Sequence, residues 1–122
     1  MASKYVHLHT HSHYSLLDGL TKLTDMVKIA KKNDQTAIAL TDHGNMYGAI
    51  EFYKLCKKEK IKPIIGVEAY VTSGSRHEKV AVSDGKRYYH LILLAKNLKG
   101  YKNLIRLVSI ANLEGRDDVR AV

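Results

Sequence analysis

Four histidines alternate with other residues near the start of the chain: His7, His9, His11 and His13. In an extended strand successive side chains point to opposite faces, so this spacing sets four imidazoles in a row on one side. Neutral imidazole is the commonest protein ligand for zinc and related metals. One such histidine would read as a solvated polar edge. Four together, with the apolar Val6 before them and Asp18 behind, read as the start of a metal site.

The rest of the chain supplies more ligands. His43, Glu68 and His90 join His9, His11 and Asp18 in a mixed nitrogen and oxygen set without thiolate. Such a set suits zinc, manganese or iron(II) and is poorer for calcium, which prefers oxygen alone. Six ligands exceed the four of a structural tetrahedral zinc, so a cluster of two or three metals is the better count. Paired metals about 3.5–4 Å apart activate a bridging water and stabilise both oxygens of an in-line phosphoryl displacement. Phosphoester hydrolysis is the reaction class that follows, with a metal-activated hydroxide as the expected nucleophile. Asp42, beside His43, is expected to stand behind the ligands and fix an imidazole tautomer.

These residues must be carried by one small domain, since the chain has 122 residues. Hydrophobic content of 45% is enough for a core. The apolar runs are short, which argues against a membrane span, and the N-terminus lacks a signal-peptide pattern, which points to the cytoplasm. The single cysteine, Cys56, excludes an internal disulfide and a cysteine-based zinc knuckle; its place in an apolar helical pattern reads as core. A formal charge of +8 and a pI near 9.6 indicate affinity for polyanions, with local density at Lys57, Lys58, Lys60 and Lys62. Most of the lysines read as a solvated face.

Taken in order, the chain alternates strand and helix patterns. Residues 5–9 predict a first strand, and residues 20–33 a helix with Thr21 or Thr24 as its cap and Asn33-Asp34 at its end. Residues 36–40 form a continuous apolar run suited to a strand buried on both faces, running into a polar turn at residues 41–44. A helix over residues 46–60 follows, and Pro63 opens a strand over residues 64–71. Residues 72–87 read as a long loop, residues 88–95 as a fourth strand and residues 101–113 as a third helix. The order implies an α/β fold of parallel strands and right-handed crossovers, with its site at the C-terminal strand ends. His90 breaks that rule, because it stands near the start of its strand. Four strands leave an open edge, an aggregation hazard unless something covers it, and the tail at residues 116–122 has no pattern to do so. A fragment of a longer fold is the expectation.

Several stretches carry a family resemblance. HLHTHS at residues 7–12, SLLDG at 15–19 and TDHGNMYGAIEFY at 41–53 resemble the PHP domain, named for polymerase and histidinol phosphatase. With IKPIIGVEAYV at 61–71, YHLILLAKN at 89–97 and GYKNLIRLVS at 100–109, the wording is similar to that of bacterial DNA polymerase III alpha subunits. The resemblance implies a distorted (β/α)7 barrel, incomplete here, with a trinuclear metal centre at one mouth. On the family pattern His9 and His11 match the paired histidine ligands, and Asp18, His43, Glu68 and His90 match four more. His7 occupies a position that is not usually a ligand, and His13 matches nothing fixed.

The resemblance also sets expectations about function. Residues 1–115 would be the N-terminal part of a PHP domain and residues 116–122 a divergent tail, with the family's last three ligands beyond Val122. Zinc or manganese would fill the cluster, and magnesium would belong to a polymerase core outside this chain. DNA and other replicase subunits are the implied partners, with no membrane. The parent protein would carry out DNA-templated DNA synthesis, with the PHP site a candidate 3′–5′ exonuclease, and the isolated chain would not polymerise and would be inactive. A free-standing phosphoesterase of the histidinol-phosphatase kind and a non-catalytic scaffold are the competing readings.

Overall fold

The computed structural model describes residues 5–72 and 88–114. Its elements are α1 (Leu23–Lys32), β1 (Ala37–Leu40), α2 (Ala49–Lys58), β2 (Lys62–Val71), β3 (Tyr89–Leu94) and α3 (Leu98–Glu114). The expected tail at residues 116–122 and nearly all of the expected loop, residues 73–87, lie outside the described residues.

Helix α1 forms because its apolar residues recur at helical spacing: Leu23, Met26, Val27 and Ala30 are all buried on one face. Asp25 in its first turn and Lys31 and Lys32 in its last complement the helix dipole. The predicted threonine cap is not made; Lys22 occupies the cap position and gives no side-chain hydrogen bond. Asn33 and Asp34 end the helix as expected, with Asp34 at φ 52°. Helix α2 turns Ala49, Phe52 and Cys56 inward. Burial pushes the Cys56 thiol up to about 11, so it stays protonated as a small core side chain.

The four residues of β1 are all buried, and the strand runs parallel to β2 with Ala37 opposite Lys62 and Leu40 opposite Ile65. The first expected strand, residues 5–9, does not form a regular ladder. The segment is tied to β1 by the Ala39 N–H donating to the His7 carbonyl and the Thr41 N–H donating to the Thr10 carbonyl, each at 2.9 Å. Threonine hydroxyls take the places a ladder would fill: the Thr10 N–H donates to Thr41 Oγ1, and the Thr10 hydroxyl donates to the Ala39 carbonyl.

The last strand departs from the all-parallel expectation, because β2 and β3 pair antiparallel, Val71 opposite Tyr89 and Gly66 opposite Leu94. A parallel pair needs a crossover, usually a helix, and the sequence between these strands carries no helical period. The three strands lie in the order β1-β2-β3. Gly66 lets them approach, since a Cβ there would sit 2.6 Å from the Leu93 carbonyl oxygen. Among the described residues no strand covers the far edge of β3, where Tyr89, Leu91 and Leu94 are exposed. No described helix is long and apolar enough to cross a membrane.

One core forms where α1 and α2 pack on β1, centred on Leu23, Val27, Ile38, Leu40 and Phe52. A second joins Val67 and Ala69 of β2 to Leu104 of α3. Phe52 is fully buried at the centre of the first. Phe52→Ala is therefore expected to lower the unfolding free energy by about 3–5 kcal/mol in urea titrations. A loss below about 1 kcal/mol would mean that this core does not hold the two helices to the sheet.

Candidate metal centre

The segment after the histidine-rich stretch folds as a tight loop, residues 11–19, around a buried carboxylate. Asp42, 1% exposed at the end of β1, accepts the Ser12 N–H at 2.6 Å, the Ser12 hydroxyl at 2.8 Å and the Ser15 hydroxyl at 2.7 Å. The Ser15 carbonyl then accepts the Asp18 N–H at 3.1 Å and the Gly19 N–H at 2.7 Å. Gly19 is required by space: a Cβ there would drive into the Ser12 carbonyl. The turn delivers Asp18 to the face that carries His11. The expected tautomer-fixing role of Asp42 is corrected, because its hydrogen-bond partners are backbone and serine groups rather than an imidazole.

Strands bring the other side chains. A parallel bridge sets His43 beside Glu68, and the antiparallel pairing sets His90 beside Tyr70, two residues further along β2. That pairing removes the apparent exception: the start of an antiparallel β3 lies at the C-terminal end of β2. All six predicted residues meet there.

Glu68, 2% exposed, is the centre of the group. Its Oε2 lies 2.7 Å from His9 Nε2 and 2.5 Å from His11 Nε2, while its Oε1 lies 2.6 Å from His90 Nδ1. His43 Nδ1 is 3.7 Å from Glu68 Oε2, and His43 Nε2 is 2.5 Å from Asp18 Oδ2. Asp18 Oδ2 also lies 3.0 Å from His11 Nδ1. Three overlapping triads result: His9, His11 and Glu68; His11, Asp18 and His43; His43, Glu68 and His90. Within each, the ligand atoms lie within 4.8 Å of one another.

The residues fit divalent cations. His43 Nδ1 is buried without a hydrogen-bond partner, which is costly unless something else takes its lone pair. His9 Nε2 and His11 Nε2 stand 3.2 Å apart and converge on one carboxylate oxygen, an arrangement a shared cation would satisfy. The His43 imidazole beside Asp18 holds that carboxyl below the usual carboxylate range, against a smaller upward push from desolvation. Burial pushes the Glu68 carboxyl up, but hydrogen bonds from His9 and His11, with the charge of His43, outweigh it and leave it lowered. Both carboxylates are thus charged at neutral pH, as metal ligands must be.

The period-two row of imidazoles is only half realised. His7 stands apart with its ring edge-on to Tyr5 at 4.7 Å, and His13 lies against Tyr14 at 4.3 Å. The sequence reading also missed Tyr70, whose ring stacks on His43 at 5.9 Å, and Tyr88, which stacks on His90 at 5.8 Å. A signal for Tyr70 existed, because it stands two residues beyond Glu68 and so shares its face of the strand. Ser12 and Ser15 were missed as well, although hydroxyl groups flank the ligand loop in the sequence.

Comparison with known proteins gives the lineage. The PHP domain profile matches residues 7–121. DNA polymerase III subunit alpha of Borreliella burgdorferi is 58% identical over 113 residues, covering 93% of this chain and 10% of that protein. The Treponema pallidum subunit is 56% identical, covering 91% and 10%, and the Thermus aquaticus subunit is 51% identical, covering 92% and 9%. The chain thus spans about a tenth of the length of these relatives. Among solved structures, an amidohydrolase from Chromobacterium violaceum with bound sulfate and no metal superposes with a TM-score of 0.58 at 24% identity, over 88% of this chain and 32% of that one. A Bifidobacterium adolescentis protein named as a metal-dependent phosphoesterase gives the same TM-score at 17% identity, covering 88% and 34%. Fold, sequence and the gathering of histidines and carboxylates agree: the chain belongs to the PHP domain family.

Proposed function

We propose that this chain forms part of the PHP domain of a replicative DNA polymerase alpha subunit, and that its six-residue cluster is a multi-metal phosphoesterase site acting on DNA 3′ ends. The observation that carries the reading is Glu68, whose two oxygens face different imidazoles: Oε2 meets His9 and His11, and Oε1 meets His90. A carboxylate so placed would offer one oxygen to each of two cations. His9 and His11 would complete one group, His43 and His90 the second, and Asp18 would join through its place beside His11 and His43. Zinc or manganese suits this nitrogen and oxygen set. When bound, such cations supply Lewis acidity towards a phosphoryl oxygen and make water a better nucleophile at neutral pH.

The protein's own residues do the remaining work. Asp18 and Glu68 hold negative charge where cations would sit, and the four histidines face them with ring nitrogens. The formal charge of +8 supports a polyanionic substrate. DNA binding by the chain is expected to be independent of sequence and to fall steeply with salt through counterion release. An affinity unchanged between low and physiological salt would assign it to something other than lysine–phosphate contacts.

Metal binding is the direct test. Calorimetric titration with Zn2+ should give saturable binding that His43→Ala weakens by roughly tenfold or more. His13→Ala should leave it unchanged. Equal loss in both variants would mean that the cluster is not the site. No binding by the unmodified chain would favour the scaffold reading.

Acid should weaken binding in a defined window. Free imidazole takes up a proton near pH 6.5, whereas Asp18 and Glu68 are held below their ordinary values and stay charged there. Metal binding through imidazole releases protons, so Zn2+ affinity is expected to fall below about pH 6.5. A profile flat down to about pH 5 would show that carboxylates alone bind the metal.

A further inference from the structure

Asp42 is as deeply buried as Glu68, yet it touches no imidazole. Its three hydrogen bonds all come from the ligand loop: the Ser12 N–H, the Ser12 hydroxyl and the Ser15 hydroxyl. No lysine, arginine or histidine forms an ion pair with it among the described residues. A buried carboxylate held only by neutral donors costs more in desolvation than a well-packed apolar residue would. Stability alone is a poor reason for it. Directional control is a better one.

The direction of the hydrogen bonds shows what is controlled. Each serine hydroxyl donates to an Asp42 oxygen, so its proton points at that side chain. Their lone pairs are then turned outward. Ser15 Oγ accepts the His43 N–H at 3.1 Å, and Ser12 Oγ accepts the Tyr14 N–H at 3.2 Å. Each end of this clip adjoins a residue of the cluster. Ser12 follows His11 in the chain, the Ser15 carbonyl accepts the Asp18 N–H, and His43 follows Asp42.

We infer that Asp42, acting through the Ser12 and Ser15 hydroxyls, is the positioning residue of the metal centre: it sets His11, Asp18 and His43 in place before any cation arrives. This rests on the metal reading above. Asp42, Ser12 and Ser15 stand outside the three triads of candidate ligands. The clip converts one buried, hydrogen-bonded side chain into the relative placement of a loop and a strand end, so that cation binding does not have to order them.

The test is a comparison of the wild-type chain with Ser15→Ala, Asp42→Asn and the double variant. Zn2+ affinity is read by calorimetry, and the ligand field by the visible spectrum of the Co2+-loaded protein. Each single change is expected to weaken Zn2+ binding about 10- to 100-fold and to alter the Co2+ spectrum. The double variant should lose much less than the product of the two, because both remove one pathway. Thermal melting of the metal-free proteins separates this from general loss of structure, and where Asp42→Asn fails to fold, Ser15→Ala decides. Wild-type binding retained in full by Ser15→Ala, with an unaltered Co2+ spectrum, would overturn the inference and leave the metal reading standing. Losses that multiply in the double variant would also overturn it. Absence of Zn2+ binding by the wild-type chain would remove the metal reading and the positioning role with it.

Discussion

A carboxylate taken out of water keeps its charge only where other groups meet its oxygens. Glu68 is such a carboxylate, and the described structure is arranged to meet it. Three imidazoles reach its two oxygens, from His9 and His11 on the N-terminal segment and His90 on β3. Strand β2 is paired on both sides, so the backbone that presents Glu68 is fixed by β1 on one edge and β3 on the other. Each pairing also delivers a partner. The bridge to β1 brings His43, and the register with β3 brings His90.

The two buried carboxylates divide the labour. Glu68 faces the ring nitrogens of three histidines, in a site that cations would complete. Asp42 faces hydroxyl and amide protons and is complete without them. They stand on neighbouring strand ends, with the Glu68 N–H donating to the Asp42 carbonyl at 3.0 Å. A displacement of one backbone therefore moves both the ligand and the group that organises the ligand loop. The apolar cores lie below this layer, where α1 and α2 cover β1 and where α3 covers β2.

Much of this was legible in the sequence, for physical reasons that differ from element to element. The helices announced themselves because one face of each must be apolar, as Leu23, Met26, Val27 and Ala30 are. Strand β1 showed as a continuous apolar run because both of its faces are buried. The six residues of the cluster were found because their types have few other reasons to recur at strand ends. Alternation misled where it assumed a regular strand: the segment meets β1 through the His7 and Thr10 carbonyls, which are not two residues apart, and the turn beyond them lays His13 against Tyr14. The direction of β3 was missed because strand periodicity carries no sign. Asp42 was read as standing behind the ligands, but its partner was misread: proximity in sequence to His43 suggested an imidazole, whereas its carboxylate turns towards the serines.

A Glu68 that joins two cations would place both within a shell of nitrogen and oxygen. X-ray absorption of the Zn2+-loaded protein tests it most directly, because the spectrum reports ligand type and metal–metal distance together. The expected result is a shell of nitrogen and oxygen at about 2.0–2.2 Å, no sulfur at about 2.3 Å, and a metal–metal vector near 3.5–4 Å. A single isolated zinc with no such vector, or a shell containing sulfur from Cys56, would contradict it.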